Sequence, residues 1–192
     1  FHKPPSTHRD ASTLSANINL ASTDVVLDWN AIMQTTVASS NPFIQARTGA
    51  ITQLAVFEAV NAIVGDYEPY LGTIASPTGA SSEAAVVAAA HRTLVTLHPG
   101  ATATLDAART ASLSMIPDGQ SKDDGTTVGE GAAAALLALR SNDGATTVVP
   151  YTPGTSPGDW QPTPPGSAPA AFVGWGQVTP FGMHDGAQFR LS

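Results

Sequence analysis

Residues 81–100 read SSEAAVVAAAHRTLVTLHPG, and this stretch decides the fold. Ser81 or Ser82 supplies a side-chain oxygen for the unpaired amides of a helix start. Val87, Ala90, Leu94 and Leu97 then recur at spacings of three and four, which places them on one helical face. His98-Pro99-Gly100 ends the run, because proline lacks the amide that another turn would need. A fourth, shorter helix is expected from Thr102 to Met115, stopping before Pro117-Asp118-Gly119. A fifth runs from Gln120 to Arg140, with Val128, Ala132, Ala135, Leu136 and Leu139 as its apolar stripe. Gly125, Gly129 and Gly131 interrupt it, each at a cost of up to about 1 kcal/mol in helix propensity. Close approach of a neighbouring backbone is the expected compensation. Short connections make the last three helices antiparallel neighbours.

Upstream, Val25, Val26, Trp29, Ile32, Met33 and Val37 repeat at helical spacing, with Thr23 or Asp24 as the cap. Ser39-Ser40-Asn41-Pro42 stops that helix. A second spans Pro42 to Val64, with Val56, Phe57, Val60, Ile63 and Val64 forming its stripe. Arg47, Gln53, Glu58 and Asn61 interrupt its other faces, and Tyr67-Glu68-Pro69-Tyr70 leads into a loop. Residues 1–22, with Pro4-Pro5, read as an irregular N-terminal arm. After Asn142-Asp143-Gly144 the chain fills with proline and glycine, yet Tyr151, Trp160, Phe172, Trp175, Phe181 and Phe189 punctuate it. Such a density of aromatics predicts an extended segment that plugs rings into pockets. The surface it covers belongs to this bundle or to a part beyond this chain. The expected organisation is therefore an arm (1–22), a bundle of five helices (23–144) and an extended Pro/Gly-rich segment (145–192), all-α in class.

Apolar residues make up 42% of the chain, enough for a core, while charged residues reach only 12% against a usual ~25%. Ala, Ser, Thr and Gly fill the gap, which predicts closely packed helices of small residues. The net charge is −7 and the eight Lys and Arg are scattered, which argues against nucleic acid and anionic membrane surfaces as partners. No window reaches the ~18 apolar residues of a membrane span. The absence of cysteine excludes disulfides, thiolate metal sites and a cysteine nucleophile.

The five histidines are His2, His8, His91, His98 and His184. His91 and His98 fall near one face of the third helix but two turns apart, roughly 10 Å, too far to share an ion. They read as a helix-face residue and a helix-end residue favoured by the macrodipole. The run Asp118 to Asp124 lacks calcium-loop spacing and reads as a turn with an acidic helix start. No serine sits in a strand-to-helix nucleophile elbow, and no phosphate loop occurs. Glu58 is the conspicuous lone charge, and Arg47 or Arg92 is its expected partner.

Several segments occur in a telling order. They are Val26-Leu27-Asp28-Trp29-Asn30, Phe57-Glu58-Ala59-Val60-Asn61-Ala62-Ile63, Tyr67-Glu68-Pro69-Tyr70, Ala88-Ala89-Ala90-His91-Arg92-Thr93-Leu94 and Ile116-Pro117-Asp118-Gly119. The tail adds Pro157-Gly158-Asp159-Trp160-Gln161-Pro162-Thr163-Pro164-Pro165, Trp175-Gly176-Gln177-Val178-Thr179-Pro180-Phe181 and Gln188-Phe189-Arg190. Over residues 24–190 the series resembles the N-terminal half of bacterial proteins related to vanadium-dependent haloperoxidases, within the phosphatidic acid phosphatase type 2 superfamily. Leu191 departs from the pattern, where relatives carry proline.

The resemblance implies an all-α, exported protein, secreted or periplasmic. It also implies that vanadate, or the phosphate of a substrate, is held by later Lys…Arg-Pro, Pro-Ser-Gly-His and Arg…His segments. None of these occurs here, so no catalytic, cofactor-binding or metal residue is assigned to this chain. The expected partner is a C-terminal catalytic half of the same protein. Halide oxidation by peroxide and phosphoester hydrolysis both remain open as the activity of the whole. The alternative reading is a freestanding, non-enzymatic helical module for binding or oligomerisation, with self-association through residues 125–139. An independent metal hydrolase would need ligands that the sequence does not offer.

Overall fold

The computed structural model describes residues 24–191, so the arm at 1–22 and the Thr23 cap lie outside the described residues. Five helices carry the fold: α1 (Val25–Val37), α2 (Pro42–Val64), α3 (Ser82–Leu97), α4 (Thr102–Ser114) and α5 (Gln120–Leu139). No strand occurs among the described residues. The starts follow capping chemistry. Asp24 accepts the amides of Val26 and Leu27, Asn41 accepts that of Ile44, and Ser81 rather than Ser82 accepts that of Ala84. At its far end α2 closes on Gly65, whose φ of 77° is a conformation that a side chain would disfavour.

The α3 helix is buried on nearly every side, not on one face. Residues Ala84 to His91 are all buried, as are Thr93 and Leu94. The expected stripe of Val87, Ala90 and Leu94 is buried, and packing against α1, α2, α4 and α5 extends burial round most of the helix. The last three helices alternate in direction, as the short connections lead one to expect. Gly125 lies against Ser81 and Gly129 against Ala85, so α5 runs parallel to α3. The α4 helix makes the antiparallel return, with Asp106 and Arg109 brought back beside His91.

The glycines explain how closely α5 can approach. A Cβ on Gly125 would collide with the carbonyl of Ser81, and one on Gly129 with the carbonyl of Ala85 and the Cβ of Ala88. Gly131 has nothing near it and faces solvent, so it plays no part in the approach. The buried face of α5 is Gly125, Val128, Gly129, Ala132, Ala133 and Leu136. Ala135 is exposed and Leu139 is 56% exposed, which corrects the expected stripe by one row. On α2 the deepest side is likewise displaced. Thr48, Ile51, Thr52, Ala55, Glu58 and Ala59 are buried, whereas Val64 is exposed. In both helices small or hydrogen-bonded residues take the tightest positions, because large ones would hold the backbones apart.

The Pro/Gly-rich segment lies partly on the bundle, through turns and a short 3-10 helix at Val173–Gln177. Phe172 and Trp175 pack on Phe43 with ring centroids 5.0 and 5.1 Å away. Phe181 lies beneath the guanidinium of Arg140 at 3.9 Å. Tyr151 and Trp160 pair with each other instead, at 5.6 Å, and Phe189 is exposed.

Candidate functional site

The densest set of ionisable side chains joins three helices beside the buried indole of Trp29. His91 of α3 meets both Asp106 and Arg109 of α4: Nε2 is 2.7 Å from Asp106 Oδ1, and Nδ1 is 3.0 Å from Arg109 Nη1. A guanidinium only donates, so Nδ1 is the acceptor and Nε2–H donates to Asp106. Arg109 continues to Glu130 of α5 at 2.7 Å, and Glu130 also takes Arg92 of α3 at 3.1 Å. The Trp29 ring stands edge-on to the imidazole at 6.3 Å, and its Nε1–H donates to Ser112 Oγ at 3.2 Å.

A buried histidine beside a carboxylate is the kind of pair that can act as a general base. Here both ring nitrogens are engaged, and the nearby hydroxyl of Ser112 accepts from an indole rather than donating to the imidazole. The arrangement aligns α3, α4 and α5, with both ring nitrogens engaged by side chains of α4. The sequence had placed His91 on a helix face, and it is instead buried inside this network.

His98 stands at the end of α3, as expected, where it is the C-cap, with its Nε2 3.0 Å from the buried Thr48 hydroxyl of α2. Burial pushes its pKa below the ordinary value, because desolvation disfavours the charged ring. His184 lies on the tail, its backbone N–H donating to Gln188. His2 and His8 lie outside the described residues. Among the described residues no group of three or more potential metal ligands converges.

Glu58 finds neither arginine. It is 1% exposed, and its two carboxyl oxygens accept the backbone amides of Tyr70 at 2.6 Å and Leu71 at 3.2 Å. Asn61, one turn on, clamps Tyr67 through both its N–H and its carbonyl, at 2.9 and 2.7 Å. Backbone donors thus replace the expected ion pair, and α2 holds the loop that follows it.

Arg47 goes instead to Asp143, at 2.8 Å, and donates to the carbonyl of Arg140 at 3.1 Å. Arg140 shares the same carboxylate at 3.0 Å and donates to the carbonyls of Thr179 and Pro180 at 2.5 and 3.3 Å. Burial alone would raise the Asp143 carboxyl. The hydrogen bonds from Arg47 and the Ala145 amide, with the charges of Arg47 and Arg140, outweigh it and hold the carboxyl below its usual range. This triad was not anticipated, since Asn142-Asp143-Gly144 reads as a turn. The Arg140…Asp143 spacing of three at a helix end was the available signal. The Asp118–Asp124 run is the expected turn and helix start, with Lys122 reaching back to Asp118 at 2.8 Å.

An oxyanion such as vanadate or phosphate needs several cations free to converge on one point. Arg47, Arg92, Arg109, Arg140 and Lys122 are each paired with a carboxylate already. These residues do not fit such a group. Comparison with protein-family models, curated proteins and solved structures gave no match.

Proposed function

We propose that this chain is the helical scaffold portion of a larger exported enzyme of the kind it resembles, the vanadium-dependent haloperoxidase relatives. In this reading the five helices support a catalytic bundle and the aromatic tail bridges the two. The oxyanion is held outside these residues, in keeping with the paired state of their cations. Secretion, and the choice between halide oxidation and phosphoester hydrolysis, belong to the same proposal.

The observation that carries it is the set of apolar side chains that the tail leaves outward. Val148, Trp160, Met183, Phe189 and Leu191 are exposed, at 91% for Val148 and 78% for Phe189, while Phe172, Trp175 and Phe181 lie on the bundle. A segment that seats some rings on the bundle and turns other apolar side chains outward suits a bridge to a surface that another part of the polypeptide covers.

A second reading is a freestanding module that self-associates. Ala134, Ala135, Ala138 and Leu139 form an exposed, mostly small-residue face on α5, which suits helix pairing.

Native and intact mass of the purified protein, followed by peroxide-driven bromide oxidation with and without vanadate, separates the two. The scaffold reading expects further polypeptide in the particle and vanadate-dependent oxidation or phosphoester hydrolysis. Particles built only of 19.6 kDa chains, inactive in both assays, would sink it. Dimers of that kind would favour the second reading.

A further inference from the structure

Residues 144–178 leave the end of α5 and come back to it, and the two feet of the excursion meet at one place. The amide of Thr179 donates to the carbonyl of Asp143 at 2.8 Å. Arg140 holds the carbonyls of Thr179 and Pro180 from the other side, and its guanidinium covers the Phe181 ring. Just beyond the feet the two limbs stay together. A Cβ on Gly144 would sit 3.2 Å from the carbonyl of Gln177, and one on Gly174 would press on Val149 and the carbonyl of Thr147. Further out, Tyr151 and Trp160 pair edge to face, and Gln161 reaches back to the carbonyl of Gly154. The excursion is therefore closed on itself from neck to tip.

On the bundle it sets the rings of Phe172 and Trp175 against Phe43, and its feet stand at the polar network of the neck. That network is charged and buried. Asp143 is shared by Arg47 of α2 and Arg140 of α5, and both arginines also donate to backbone carbonyls. Removing the carboxylate leaves two guanidinium groups facing each other in a buried place, which is far costlier than losing an exposed pair.

We infer that the Arg47–Asp143–Arg140 triad is a latch, and that its release lets residues 144–178 swing off the bundle as one preformed strap while the five helices stay folded. This inference does not depend on the proposed function. It makes the aromatic surface a unit that can be presented or withdrawn, controlled from a point remote from its tip.

Hydrogen exchange of the unaltered chain at low denaturant tests it without any substitution. The amide of Thr179, whose bond crosses to Asp143, should open well below the α3 amides, while those of Trp175 and Val178, bonded within the strap to Phe172 and Trp175, should exchange more slowly than it. A Thr179 curve that merges with those of α3, or that Trp175 and Val178 share, overturns the latch. Asp143→Asn provides the second arm. Exchange at the Thr179 amide should quicken by about 100-fold, with the Trp175, Val178 and α2 to α5 amides and the helical circular dichroism unchanged. Unchanged protection of Thr179 in that variant overturns the proposal, and so does lost protection throughout α2 and α5.

Discussion

The α3–α5 contact and the neck of the strap are both buried, but opposite means hold them. Where α5 comes closest to α3, alanine, glycine and two backbones meet at close range, with the Arg92–Glu130 pair on the same helices. At the neck there are three charged side chains and a set of carbonyls. At its closest point the first depends on volume; the second depends on charge. A small-residue contact tolerates no added atom, because backbone cannot step aside as a side chain can. A charged neck tolerates small shifts in shape but not the loss of one partner.

The largest effect should come from adding volume to the first region. Gly129→Ala drives a methyl into the Ala85 carbonyl and the Ala88 side chain. The cost should reach the upper end of core overpacking, about 3 kcal/mol. Urea unfolding followed by circular dichroism measures it, and a variant as stable as the parent would mean that α5 is not seated as described. Gly125→Ala, against the Ser81 carbonyl, should behave in the same way.

A smaller loss is expected at the loop held by α2. Glu58→Gln keeps size and burial but turns an amide group toward the Tyr70 and Leu71 amides, which both need acceptors. Leaving a buried donor unsatisfied costs about 1–3 kcal/mol. The same urea experiment should show this, with new proteolytic cutting confined to residues near 67–72. If Glu58 served instead to pair with a cation, the loop would stay protected.

Much of this architecture was legible beforehand, and the failures have a common cause. Helix limits follow from local chemistry: Asn41-Pro42, Gly65 and His98-Pro99-Gly100 act on their own neighbours, so sequence reading found them within a residue or two. Which face of each helix is innermost depends on the partner. Hydrophobicity favoured Leu139 and Val64, but the closest approach went to Gly129, Thr52 and Ala59. The same holds for charges. An arginine partner is expected for Glu58 because acids pair with bases, while the backbone amides of Tyr70 and Leu71 are invisible as donors until the loop is folded. The Arg47–Asp143 pair joins residues far apart in the chain, and no local pattern marks it.

Acid sharpens the comparison between the two regions. The pKa of His98, between α2 and α3, is depressed by burial, so the unfolded chain takes up that proton first. Its contribution to bundle stability is present above the ordinary value of 6.5 and falls away as pH drops from there through the lowered pKa. Asp143 has the same sign at a lower range. Its contribution persists above the ordinary 3.8 and is lost only as pH falls from there through its depressed pKa. Proteolysis of the strap should stay slow from pH 7 to pH 5 while the urea midpoint of the bundle already declines. Strap cleavage that rises between pH 7 and pH 5 would show that the Asp143 latch does not control it.

The smallest expected effect is also the most discriminating, because it reverses sign within a single helix. Gly131 lies on α5 two residues from Gly129, but no atom stands within 4 Å of where its Cβ would be. Alanine there adds nothing to collide, removes backbone freedom from the unfolded chain and improves helix propensity by up to about 1 kcal/mol. Gly131→Ala should therefore raise the urea midpoint by a little, while Gly129→Ala lowers it by much more. Composition cannot distinguish these two glycines, and neither can helical propensity. Only the parallel approach of α3 to one side of α5 separates them. Equal effects from the two substitutions would contradict that approach directly, whatever their common sign.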